Sequence, residues 1–268
     1  HCTSIKLRKQ PERKVTEGEY SMNRVEFTRF PQLEFACKEA MNTLATNLFY
    51  CGDGIKTVML TSRYAEEGKS YMTLNLMRTL ASLDKKVCLL DTDLRRSRIV
   101  SRYGIKFADN HHKGKGLAHY LAGICEMDEI IYETNIPNGY IVPIGREVES
   151  SLQLLSSARM KPLMEELARQ FDIVLVDTPP VGVIVDSLEM AKYCSGALVV
   201  VSANRGHKRD IADVVRQIKS TGCPVLGAVL NNVEFGSFTN RQYYYKSERY
   251  SSYYYGGAYG GKESGSGS

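Results

Sequence analysis

The stretch Thr57–Leu83 reads TVMLTSRYAEEGKSYMTLNLMRTLASL. Thr57–Leu60 is a short apolar run, and the irregular polar loop after it closes on Gly68-Lys69-Ser70. From there Leu74, Leu76, Met77, Leu80 and Ala81 recur at helical spacing, which predicts a helix opening directly behind the loop. Strand, loop ending in Gly-Lys-Ser, then helix is the context of a phosphate-binding loop. Amides at a helix N-terminus face an anion, and the helix dipole favours negative charge there. Lys69 would put a point charge on the outer phosphates, and the Ser70 hydroxyl would sit on a magnesium ion. Position 63, where the general pattern has glycine, holds Arg63. Alone, the tripeptide fits equally a polar turn with a serine at a helix start. The choice between the two rests on what stands at the other strand ends.

Outward from this stretch, KKVCLLD (85–91) and FDIVLVD (171–177) are apolar runs that each end in a carboxylate. Tyr140–Ile144, Ala197–Ser202 and Val225–Asn231 are further strand candidates. Helical spacing marks Glu34–Tyr50, Ala158–Gln170 and Lys208–Ser220. Short apolar strands without alternation, interleaved with helices, predict a doubly wound α/β fold whose mainly parallel sheet is covered on both faces. Ligands of such sheets bind beyond the carboxyl ends of the strands. The loop after Thr61, the pair Asp91 and Asp93, and Asp177 would then share one edge. Asp177 is expected to hold magnesium. Asp91 follows Val87–Leu90, so it is expected to be partly buried, where an unpaired charge is costly and a cation, a Lys69 contact or a hydrogen-bond network would offset it. Arg95, Arg96 and Arg98 follow at once, with pairing to phosphate, pairing to the aspartates and simple solvation all open. Together these strand ends make the stretch a nucleoside-triphosphate site.

The 268 residues, 43% hydrophobic and 24% charged, suit one large domain or two small ones. No run of eighteen apolar residues occurs, so no membrane span is expected. Seven scattered cysteines without C-x-x-C spacing argue for reduced thiols and against a zinc site or disulfide framework. A net charge of +5 is too small to argue for nucleic acid. Residues 1–33 are expected to form a flexible basic arm, 34–235 the folded domain, and 236–268 a disordered tail. The tail carries Tyr243, Tyr244, Tyr245, Tyr250, Tyr253, Tyr254, Tyr255 and Tyr259 among the chain's 17 tyrosines.

TSRYAEEGKS, VCLLDTDLRRSR and FDIVLVDTPP, followed by the tyrosine cluster, resemble the motifs of bacterial tyrosine kinases of capsular and exopolysaccharide assembly. The resemblance covers residues 34 to 259. It implies a P-loop NTPase-type fold, ATP and Mg2+ as cofactors, and transfer of phosphate to the tail tyrosines between subunits. It also implies a stand-alone cytoplasmic chain, held at the membrane by a transmembrane adaptor of the polysaccharide chain-length determinant type, and a cognate tyrosine phosphatase. Carried over position by position, Glu67, Gly68, Lys69, Ser70 and Tyr71 would bind the nucleotide, with Asn231 at the adenine. Ser70, Asp91 and Asp177 would serve the metal, and Lys69, Asp91 and Asp93 the transfer itself. A tyrosine hydroxyl has a pKa near 10, so a carboxylate to accept its proton is a sensible requirement.

The chain departs from that pattern in places. Glu66 stands where the family often has glycine. The ring-forming motif, a glutamate and two arginines at three-residue spacing, reads Glu39, Asn42 and Ala45. Ser150–Leu155 is a degraded form of another family segment. Two other functions compete: an ATP-binding scaffold without transfer, and a nucleotide-driven dimerisation switch of the ParA/MinD type. The latter uses an extra lysine where this chain has Tyr64, and it lacks a tyrosine tail.

Overall fold

The computed structural model describes residues 23–108, 114–203, 205 and 208–233. In chain order these form β1 (Asn23–Phe27), α1 (Phe35–Tyr50), β2 (Thr57–Ser62), α2 (Lys69–Ser82), β3 (Val87–Asp91), α3 (Ile99–Tyr103), β4 (Ile105–Phe107) and α4 (Leu117–Leu121). There follow β5 (Tyr132–Glu133), β6 (Gly139–Val142), α5 (Ser151–Leu155), α6 (Met160–Gln170), β7 (Ile173–Asp177), α7 (Asp186–Ala191), β8 (Gly196–Ser202), α8 (Lys208–Ser220) and β9 (Val225–Asn231). The strands join in one sheet of order β4-β1-β5-β6-β3-β7-β2-β8-β9. From β6 to β9 every pairing is parallel. Antiparallel pairs occur on the other side, at β1–β4 and β5–β6. This is the expected α/β architecture of a P-loop NTPase.

The central strands are apolar throughout because both faces are covered. Met59, Cys88, Leu90, Val174 and Val176 point into a core shared with Leu163 and Leu167 of α6 and Val214 and Ile218 of α8. Their neighbours Val58, Leu60, Val87, Leu89 and Leu175 point the other way, onto Met41, Ala45 and Leu48 of α1 and Leu74, Leu76, Met77 and Leu80 of α2. Successive strand residues thus serve opposite layers.

Several outcomes bear on the sequence reading. Asn23–Phe27, inside the stretch expected as an arm, is β1, paired to β4 and β5. Residues 1–22 and the tail with Tyr243–Tyr259 lie outside the described residues, so those expectations carry no structural account. Ala45 is fully buried on α1, whereas Asn42 donates to Glu39 at 3.1 Å on the exposed side. An arginine at position 45 would therefore enter the core. The six described cysteines are free thiols. No helix among the described residues is long and apolar enough to cross a membrane.

Candidate active site

β3, β7 and β2 lie side by side, so their carboxyl ends bring Asp91, Asp177 and the Gly-Lys-Ser loop together as expected. Asp91 and Asp177 are direct register partners across the β3–β7 pair. Both are buried, Asp91 fully. Burial and mutual repulsion raise the pKa of Asp91 well above the usual carboxylate range, against the hydrogen bond from Ser97. Burial likewise raises Asp177, opposed by the Ser70 hydroxyl and by the Lys69 charge. Ser70 Oγ donates to Asp177 Oδ2 at 2.5 Å, and Thr73 Oγ1 lies 3.2 Å from Asp177 Oδ1. Thr92 fixes the end of the neighbouring strand, its amide and hydroxyl both donating to the Asp177 carbonyl at 2.9 and 2.8 Å.

Lys69 opens α2 and is buried, which lowers its pKa; Asp177, Asp93 and Glu67 counter that shift. Its Nζ donates to Ser62 Oγ at 3.1 Å. Asp93 is half-buried, and burial raises its pKa too. One Asp93 oxygen accepts from the Arg96 amide at 3.1 Å, which closes a tight turn after the strand.

The two loop glutamates are accounted for separately. The Glu67 carboxylate points away from the phosphate side. One oxygen accepts from the Tyr64 amide at 2.8 Å and the other from the Ser202 amide at 3.1 Å, at the end of β8. Glu66 is exposed, and its carboxylate lies 3.9 Å from Arg98. Glu66 sits at φ 65, the left-handed region that costs a side-chain-bearing residue about 1–2 kcal/mol. Gly68 is left-handed as well, at φ 92, and a Cβ there would stand 2.0 Å from Asn231 Nδ2. That amide donates to the Glu67 carbonyl at 2.9 Å, so Asn231 grips the loop from β9. The loop is thereby tied to the ends of β8 and β9 as well as to its own strand.

A cavity of about 1130 Å³ opens over this edge. Gly68, Lys69, Ser70, Tyr71, Asp93, Asp177 and Asn231 line it, so these expected site residues share one space. Asp91 and Glu67 stand behind its wall. Asp186 was not foreseen. It is buried and accepts from Arg95 Nε at 3.1 Å and from Ser151 Oγ. Ser62, Thr73, Ser97 and Ser202 are further unforeseen contributors, and no spacing in the sequence marks them.

The donor set fits magnesium. It offers oxygen ligands only, a hydroxyl and carboxylates that make no direct ion pair among the described residues, and Mg2+ takes few protein ligands and keeps room for waters and phosphates. Gly68, left-handed at the start of α2, makes room for Asn231 and puts the helix N-terminus, which favours an anion, on the cavity.

A family profile described as an AAA domain matches residues 56–220. The chain is 31% identical over 205 residues to tyrosine-protein kinase CpsD of Streptococcus pneumoniae serotype 4, covering 76% of this chain and 88% of that one. It is 32% identical over 196 residues to tyrosine-protein kinase CpsD of Streptococcus agalactiae serotype III, covering 73% and 82%. Among solved structures, the kinase domain of the Escherichia coli tyrosine kinase ETK superposes with a TM-score of 0.70 at 25% identity, covering 75% of this chain and 77% of that one. MinD of Pyrococcus horikoshii, solved with Mg-ADP, shares the fold, with a TM-score of 0.55 at 23% identity and coverage of 66% and 70%. With a phosphate loop, paired strand-end aspartates and these relatives in agreement, the chain belongs to the bacterial tyrosine-protein kinases.

Proposed function

We propose that this tyrosine kinase uses Mg-ATP to phosphorylate the tyrosines of its own 236–268 segment, between copies of the chain, and so regulates capsular or exopolysaccharide synthesis and export. The observation that carries this is the single cavity lined by Lys69, Ser70, Asp93 and Asp177. Lys69, bonded to Ser62 here, would hold the outer phosphates. Ser70 and Asp177 would hold magnesium, with Asp91 behind them. The metal when bound neutralises charge on the phosphates. Asp93, half-exposed in the cavity wall, takes the proton of the incoming phenol, whereas Asp91 is fully buried and bonded to Ser97. Its raised pKa suits Asp93 to that role, since a base works best with a pKa near the operating pH. Glu67, Gly68 and Tyr71 shape the nucleotide side, and the wall at Asn231 and Asn232 offers the place for the base.

The working setting is the inner face of the cell membrane, reached through a transmembrane adaptor of the chain-length determinant type, with a tyrosine phosphatase to reverse the modification. Incubation of the full chain with ATP, Mg2+ and such an adaptor's cytoplasmic segment tests this. Intact mass spectrometry should record added phosphate, mapped to Tyr243–Tyr259, and Lys69→Met should abolish it. Nucleotide binding without any phosphate gain would leave an ATP-binding scaffold instead.

A further inference from the structure

Four arginines, Arg29, Arg96, Arg98 and Arg102, are exposed and line the cavity beside the phosphate loop. Three of them are held together by the fold. The Arg29 amide donates to the Tyr103 carbonyl at 3.0 Å, and Thr28 donates to the Gly104 carbonyl through its amide at 3.3 Å and its hydroxyl at 2.8 Å. These bonds lock the segment after β1 to the end of α3. The Arg102 amide donates to the Arg98 carbonyl at 2.8 Å, which sets those two side chains one turn apart on a single helix face. Among the described residues, Arg29, Arg96 and Arg102 form no ion pair, and Arg98 reaches only Glu66 at 3.9 Å. Like charges gathered this way are unfavourable unless an anion joins them. At about 1130 Å³ the cavity exceeds the roughly 300–1,000 Å³ usual for one small ligand. Room remains beyond the nucleotide.

We infer that this arginine rim binds the phosphorylated form of the chain's own tyrosine tail, keeping a tail that has received its first phosphate in place for the next. The inference rests on the tail being the acceptor. Residues 236–268 carry four cationic and two acidic residues, a net charge of +2, and so have no attraction for a cationic rim before modification. Each phosphate adds about −1.5 to −2 charge and three acceptor oxygens, so the first cancels most or all of the segment's positive charge and a second reverses its sign. Arginine forks match phosphate oxygens in geometry as well as charge. Retention raises the local concentration of the remaining hydroxyls without any new contact at the reacting atoms.

The test uses phosphatase-treated full chain in saturating Mg-ADP and a fluorescent peptide of residues 248–260. The peptide is made with phosphotyrosine at Tyr253 and also unmodified. Binding should favour the phosphopeptide by about tenfold or more, the scale of one or two charge-assisted contacts. Arg29→Gln combined with Arg102→Gln should erase the preference while Mg-ADP affinity and the thermal midpoint stay as in the parent. Equal binding of the two peptides, displacement of the phosphopeptide by Mg-ADP, or a preference untouched by the double substitution would each overturn the inference. Because the peptide is synthetic, tail labelling without phosphopeptide preference sinks the rim alone. Absence of labelling sinks the acceptor assignment instead.

Discussion

Asp177 carries the tension of the site in one side chain. Burial lifts its pKa to about 6, against about 3.9 for an unfolded aspartate. The folded protein therefore holds a proton more tightly than the unfolded chain between those values, and stability falls as pH rises through that window. Asp177→Asn keeps an oxygen to accept from Ser70 but removes the charge. In chelator, at pH 7.5, the variant should melt several degrees above the parent. The gain should disappear as pH falls from about 6 to about 4, where the parent's carboxyl is itself protonated. Differential scanning calorimetry across that range decides it, and a variant that melts lower at pH 7.5 would mean that Lys69 compensates fully.

At the scale of elements, the loop between β2 and α2 owes its shape to distant strands. Glu67, bonded to the nearby Tyr64 amide, reaches Ser202 across 135 residues of sequence, and Asn231 reaches back across 164. Glu67→Ala leaves both amides without their partner, a loss of about 1–3 kcal/mol for a buried group. Calorimetric titration should find Mg-ATP analogue affinity lowered by about tenfold, with Glu67→Gln recovering part of it through one retained acceptor. An unchanged affinity would make the tether ornamental. These contacts also mark what the sequence could disclose. VCLLD and IVLVD announced buried parallel strands ending in carboxylates, and both stand at the expected edge. β1 stayed hidden in the arm because NRVEF is short and half-exposed and pairs with residues more than seventy positions away. The aim of the Glu67 carboxylate, and the pairing of the exposed Arg95 with the buried Asp186, depend on β8 and α7 packing close by. No local pattern encodes that.

For the molecule as a whole, α1 lacks both arginines of the motif at Glu39, and its position 45 is turned inward. Ala45 packs in the core under α1, so Ala45→Arg should cost about 1–3 kcal/mol by overpacking, with the charge seeking an exit to solvent. Asn42→Arg, on the open side, should melt with the parent. Thermal unfolding together with sedimentation velocity compares them, and a stable Ala45→Arg ring would refute the packing argument.

The pairing of Asp91 with Asp177 across β3 and β7 has a consequence for tolerance of insertions. Neighbouring strands run about 4.8 Å apart, so the spacing of the two carboxylates is a property of the sheet and owes nothing to loops. One extra residue between Val87 and Leu90 turns Asp91 to the opposite face, and no repacking of side chains restores it. The turn at Gly52–Gly54 has open space around both glycines and should absorb the same insertion. A library of single-codon insertions, sorted by tail phosphorylation, should therefore be depleted sharply within β3 and β7 and populated at that turn.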